Sequence, residues 1–191
     1  VKIYTRTGDD GTTGLFHGGR VAKDDVLPTA YGSVDEAQAF LGLVRAETTD
    51  PELAAILVGL ARDLYVLMAE LATAPENRHK LVDGRSRTTD AMVEALEPLI
   101  DAATARFEMP TDFVIPGESR VGALLDVART VVRRAERAAL AALDPSSAAL
   151  RYLNRLSDLL WALARWQDGH LRLAKAERTP PADPTFPKGT P

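Results

Sequence analysis

The sequence predicts an all-α protein, a five-helix up-and-down bundle preceded by an ordered glycine-rich arm. Three observations lead there. Apolar residues recur at alternating steps of four and three through most of the chain after residue 30, the spacing of amphipathic helices. The first 27 residues lack that period and are rich in glycine. The segments between the periodic stretches are polar and punctuated by proline or glycine. At 191 residues and 46% apolar content, the chain can bury one sizeable core but is short for two, so one domain is expected over residues 1–175.

In the arm, residues 1–27, TRTGDDGTTG is followed by HGG, which calls for turns rather than a helix. Ala30, Val34, Ala37, Leu41 and Val44 mark the first helix, and Leu53, Leu57, Leu60, Leu64, Leu67 and Leu71 the second. Met92, Leu96, Leu99 and Ala103 suggest a third, with Pro98 inside it. A mid-helix proline costs about 3 kcal/mol unless the helix bends or restarts there. The fourth is expected from about Glu118 to Leu143, on Val121, Leu125, Ala128, Val132, Ala135 and Ala139. The fifth runs from about Ser147 to Leu173, on Leu153, Leu156, Leu160 and Leu163. Such sustained spacing keeps one stripe of each helix against its neighbours, as in a bundle. Residues 73–87 read as a polar connection and 110–117 as a loop. Residues 176–191, which include TPPADPTFPKGTP, are too proline-rich and polar for a core and are expected to form a flexible tail.

Composition narrows the function classes. A net charge of −4 supplies no general cationic field for nucleic acid or an anionic membrane, so any phosphate binding must be local. The absence of cysteine excludes disulfides and thiolate metal sites and fits a reducing cytoplasm. Apolar runs are short and interrupted by charge, so no membrane span is expected. Val1 to Tyr4 lack the basic start and apolar core of a secretory signal. The expected location is cytoplasmic.

Two segments could carry chemistry. The arm concentrates glycines, hydroxyls and backbone donors, which a loop needs to approach a polyphosphate closely, and Lys23 lies near enough to neutralise charge. No glycine-lysine-serine or glycine-lysine-threonine follows, so this is not a Walker loop; GDDG is also ordinary turn chemistry. On the fourth helix, ARTVVRRAER brings together Arg129, Arg133, Arg134 and Arg137. At about 100° per residue, Arg129, Arg133, Glu136 and Arg137 share one face. A row of guanidinium forks can grip a triphosphate, although a solvated face of Glu–Arg pairs has the same spelling. Glu136 alone cannot balance four arginines, so an anion or another carboxylate is wanted. Asp35 and Glu36 read as acids at the opening of the first helix, where the macrodipole favours them; Asp35 also borders the seam at Val34 and could answer an arginine. Asn154 is placed similarly beside Leu153. Glu76-x-x-His79 is a single copy in a polar connection, whereas two-metal bundle sites need facing pairs, so no metal site is expected. With His17, His79 and His170 far apart, any nucleophile is expected to come with the substrate.

Taken together, KIYTRTGDDGTTGL, AYGSVDEAQAFLG, FVIPG, VARTVVRRAER and YLNRLSDLLWALAR resemble the successive signatures of the PduO-type ATP:cob(I)alamin adenosyltransferases, in order and approximate spacing, from Lys2 to about Arg165. The resemblance implies a ferritin-like cobalamin adenosyltransferase bundle assembled as a homotrimer, with active sites at subunit interfaces. The substrates would be ATP and cobalamin, with magnesium as the nucleotide's counter-ion; a reductase or a client B12-dependent enzyme would be the further partner. It assigns Thr5, Arg6, Thr7, Gly8, Thr13, Gly14 and Lys23 to nucleotide binding, together with Arg133, Arg134, Glu136, Arg137 and Asn154. Asp35 would pair across the interface with Arg129 near the corrinoid, and Phe113 would close the lower face of the corrin ring. The implied reaction is attack of cobalt(I) on the 5′ carbon of ATP, after four-coordinate cobalt(II) has been made easier to reduce. Departures fall on the corrinoid side: Glu118 follows Gly117 where the family commonly has a second glycine, Asp126 stands for a usual histidine, and Trp161 for a usual phenylalanine. A non-catalytic ATP or adenosylcobalamin carrier of the same fold is the alternative.

Overall fold

The computed structural model describes residues 2–175; the expected tail at 176–191 lies outside the described residues. A small antiparallel hairpin comes first, with β1 (Thr12–Gly14) pairing to β2 (Arg20–Ala22) so that Thr13 faces Val21. Helices follow: α1 (Val26–Glu47), α2 (Pro51–Leu71), α3 (Asp90–Glu94), α4 (Leu96–Thr104), α5 (Arg120–Ala139) and α6 (Ala148–Asp168). A short 3-10 helix, Pro75–Lys80, lies within the polar connection. α1 packs on α2 and α5, α5 on α6, and α6 on α4.

The third predicted helix is broken. α3 ends at Glu94 and α4 starts at Leu96, so Pro98 stands in the first turn of α4, where its missing N–H would have had no partner within the helix. The helix restarts two residues before the proline; counted as one broken element, α3 and α4 complete the five-helix bundle.

Local signals fix the helix ends. Asp25 caps α1 by accepting from Leu27 N at 3.1 Å, and Asp50 caps α2 from Glu52 N at 2.9 Å, with Pro51 as its first residue. Ser119 caps α5 through Gly122 N at 2.8 Å, and Gly169, at φ 73°, closes α6. The start of α1 at Val26 corrects one reading. Asp35 and Glu36 lie mid-helix, beyond the reach of the macrodipole, which acts within the first turn.

The predicted stripes form the core: Val34, Leu41, Leu57, Leu64, Leu125, Val132, Leu153 and Leu160 are buried. Two acids of α2 reach polar partners on neighbouring elements. Glu70 on α2 accepts from Thr88 N at 2.7 Å and from Ser147 Oγ at 2.9 Å, tying the polar connection to the start of α6. Asp63 accepts from the buried Tyr152 hydroxyl at 2.9 Å. Desolvation raises the Asp63 pKa above the usual carboxylate value despite that bond. Burial and the nearby carboxylate push the Tyr152 pKa upward too. No helix among the described residues is long and apolar enough to cross a membrane.

Candidate functional site

The α5 guanidinium row divides into two environments. Arg134 pairs with Glu36 on α1, Arg137 donates from Nη1 to the Arg133 carbonyl at 3.0 Å, and Glu136 accepts from Asn154 Nδ2 at 3.0 Å, joining α5 to α6. The Arg133 side chain is exposed and has no hydrogen-bond or ion-pair partner among the described residues. The excess of cations expected from the sequence is thus met in part by Glu36 and Asp126, and Arg133 keeps an unanswered fork.

Arg129 is held differently. Its Nε donates to Asp126 Oδ1 at 3.0 Å, and Asp126 Oδ2 accepts from Arg165 Nη2 at 2.5 Å. Arg165 is also bound to Asp168 Oδ2, from Nη2 at 2.9 Å and Nε at 3.2 Å. Asp168 Oδ1 in turn accepts from Ser119 N and Oγ, each at 3.1 Å. Side-chain exposure is 6% for Asp126, 2% for Arg165 and 0% for Asp168, against 26% for Arg129. Buried charges of this kind persist only when paired and hydrogen-bonded, and deleting one member costs about 3–5 kcal/mol. Gly122 makes room for the chain: a Cβ there would lie 2.0 Å from Asp168 Oδ1.

Asp126, Arg129 and Arg165 face a cleft of about 620 Å³ lined also by Met109, Phe113, Val114 and Trp161 among others, a size typical of small-molecule sites. Phe113 stands at 83% exposure on its edge. Its loop is fixed by pairing with the end of the described chain: Ala174 N donates to the Phe113 carbonyl and Ile115 N to the Arg172 carbonyl, both at 2.8 Å. Glu118 braces the same end through Arg172 at 2.8 Å and His170 at 2.7 Å. The cleft therefore has an apolar rim and a floor of paired charges. Asp35, exposed on α1, makes no hydrogen bond or ion pair among the described residues.

The arm is organised by Arg20, which sequence reasoning missed. Arg20 Nη2 donates to the Thr7 carbonyl and to Thr12 Oγ1, both at 2.5 Å. Asp10 accepts from Thr12 N at 2.9 Å and Thr12 Oγ1 at 2.7 Å, and these hydrogen bonds lower its pKa. Thr5 and Thr7 share a hydroxyl contact at 2.8 Å. Arg6 adopts φ 60°, a left-handed conformation uncommon for a side-chain-bearing residue. A Cβ at Gly8 would come within 3.0 Å of the Thr12 carbonyl and 3.3 Å of Lys23 Nζ; Gly8 therefore lets Lys23 lie across the turn. Thr13 and Gly14 lie in β1, and Phe16 N anchors the hairpin to the Ala72 carbonyl at 2.8 Å. Among the described residues, no hydrogen bond or ion pair joins arm residues 2–14 to Arg133, Arg134, Glu136 or Arg137.

Residues 3–167 match the cobalamin adenosyltransferase family. The chain belongs to that family. It is 44% identical over 170 residues to the corrinoid adenosyltransferase of Citrobacter freundii, covering 87% of this chain and 95% of the relative. The corrinoid adenosyltransferase of Bacillus subtilis is 40% identical over 173 residues, covering 86% of each chain. Among solved structures, a phenylalanine-to-alanine variant of the PduO-type ATP:corrinoid adenosyltransferase from Lactobacillus reuteri, complexed with cobalamin and ATP, superposes with a TM-score of 0.82 at 28% identity. It covers 92% of this chain and all of that one. The PduO-type resemblance read from the motifs and the helical-bundle fold both stand.

Other features missed at the sequence level include the Asp126–Arg165–Asp168 chain and the support of Phe113 by residues 172–174. A signal for the first was available: Arg165 falls two residues after Leu163 on the fifth stripe, so a charge is carried beside the core. The pairing of Phe113 left no comparable mark. Among the described residues no three or more metal-ligating side chains converge.

Proposed function

We propose that this chain transfers the 5′-deoxyadenosyl group of ATP to the cobalt(I) of a corrinoid, giving adenosylcobalamin and inorganic triphosphate. What carries the reading is the shared geometry of the α5 row: the unanswered cationic fork at Arg133, on the helix that Glu136–Asn154 locks to α6, is followed one turn back by Arg129 at the Phe113 cleft. An anion-binding stretch thus leads into a partly apolar ligand cleft, in a chain belonging to the adenosyltransferase family.

Two electrons on cobalt(I) form the cobalt–carbon bond, the C5′–oxygen bond breaks, and its electron pair leaves on triphosphate; cobalt ends formally as cobalt(III). Because the nucleophile is the metal, the protein needs no general base. Its work is orientation and stabilisation of charge that develops on the leaving group. Arg133 and Arg137 would hold the phosphates, with Arg134 on their flank, Glu136 and Asn154 fixing the nucleoside end, and magnesium screening phosphate charge. Thr5, Arg6, Thr7, Gly8, Thr13, Gly14 and Lys23 would close over the triphosphate from a second copy of the chain. That reading explains why the arm and the α5 row share no polar contact within one chain. It requires an oligomer, for which we propose the homotrimer, with Asp35 of one copy meeting Arg129 of the next.

Phe113, at the mouth of the cleft, would exclude water from the lower axial position of the corrinoid and keep cobalt(II) four-coordinate. Loss of an axial ligand makes reduction easier, so burial acts on the metal's potential. The electron would come from a separate reductase.

The deciding experiment mixes the purified protein with ATP, magnesium and chemically reduced cobalamin and follows the visible spectrum. Conversion to adenosylcobalamin, with one triphosphate released per corrinoid, is expected. A bound-corrinoid spectrum without turnover would overturn the enzyme reading.

A further inference from the structure

The charged floor of the cleft has an imbalance. Asp126, Arg165 and Asp168 are nearly sealed from solvent and together carry one excess negative charge; Arg129 restores neutrality and is the more exposed member of the set. The contact also has a handedness. Asp126 takes the Nε hydrogen of Arg129, and neither terminal nitrogen of Arg129 has a partner among the described residues. A guanidinium held by Nε alone keeps its terminal edge for a second oxygen acceptor, and such forks bind carboxylates through two parallel bonds.

We propose that Asp126, braced from behind by Arg165, is the positioning residue that aims Arg129 at the corrinoid side of the site. Resting on the adenosyltransferase reading, this adds a residue to it. Arg165 fixes Asp126 through Oδ2, Asp168 fixes Arg165, and Ser119 at the start of α5 fixes Asp168. The orientation of Arg129 is therefore set by the junction of α5 with the end of α6, a rigid support for a group that must meet Asp35 of a second copy. Nothing in this chain of contacts reaches the Glu136–Asn154 lock, so the nucleotide side stays independent of it.

The experiment measures steady-state rates with chemically reduced cobalamin and ATP varied in turn, for wild type, Asp126→Asn, Arg129→Gln and the double variant, with thermal melts of each. Asp126→Asn is expected to raise KM for the corrinoid about tenfold, the scale of one charge-assisted hydrogen bond, and to leave KM for ATP within about twofold. Arg129→Gln gives the same pattern, and the double variant, whose buried charges again sum to zero, is no worse than Arg129→Gln. If Asp126→Asn fails to fold, the double variant and Arg129→Gln still decide the matter. A further corrinoid defect of the double variant relative to Arg129→Gln, or equal losses in both KM values, would make Asp126 a purely structural residue and overturn the proposal. An active wild type with Arg129→Gln impaired and Asp126→Asn unimpaired sinks this inference alone. No adenosylcobalamin from wild type removes the functional reading and this inference with it.

Discussion

At the start of the α5 row, Arg129 leans on a carboxylate that is itself pinned by Arg165; one helical turn later, Arg133 carries the same group with no polar partner among the described residues. The contrast separates two ways of using a guanidinium. Arg129 is neutralised in advance, so its contribution is direction, fixed before any ligand arrives. Arg133 holds charge in reserve, and its contribution appears when an anion arrives. In the function proposed above, the second kind suits the leaving triphosphate and the first suits the orientation of a large ligand in the apolar-rimmed cleft.

The sharpest way to break this comparison is Arg133→Ala. Losing the unpaired cation that the proposed function assigns to the leaving group is expected to lower kcat/KM for ATP about 100-fold with cobalt(I) supplied, about 2.7 kcal/mol of transition-state stabilisation; unaltered initial rates would remove Arg133 from the site. Phe113→Ala comes next, with adenosylation starting from cobalt(II) expected to fall about tenfold and that from supplied cobalt(I) markedly less. Equal losses from the two starting states would contradict a role in ligand exclusion. Asp35→Asn tests what Arg129 is aimed at: a corrinoid dissociation constant about fivefold higher is expected from the weakened charge-assisted contact, read by titration of the corrinoid spectrum, and no change would leave Arg129 without its acceptor. Smallest is Arg134→Ala. Its pairing with Glu36 is half-exposed, and such pairs contribute about 0–1 kcal/mol, so kcat/KM for ATP is expected to stay within about threefold of wild type. A loss as large as that of Arg133→Ala would erase the distinction between answered and unanswered arginines.

Much of the bundle was legible because its stripes are local. Leu57, Leu60, Leu64 and Leu67 recur at steps of three and four, a spacing that a helix turns to one side, and all four lie in the core. Pro98 signalled a break and left its position open; the proline requires only a first turn, and the chain meets that by restarting at Leu96. Asp35 and Glu36 were misread as a helix start because the capping signal, Asp25, lies ten residues upstream of Asp35. The candidate arginines were visible as a run, yet their division into two environments was not, since it depends on residues distant in sequence: Glu36 for Arg134, and Arg165 acting through Asp126 for Arg129. Phe113 was named through the family motif, and its support by Arg172 and Ala174 has no periodicity to announce it. Arg20 escaped for the same reason: its partners, Thr7 and Thr12, are brought to it only once the hairpin closes.

The backbone pairing between residues 113–115 and 172–174 also bears on how the molecule is handled in the laboratory. Cutting the chain back to Leu171 would delete the segment whose two backbone hydrogen bonds hold the Phe113 loop, and the aromatic would lose its perch while the residues of every bundle helix were kept. A reporter dye or surface tether attached at Lys175 would hang beside the cleft mouth. The exposed Lys80, in the connection after α2, is the better place for one.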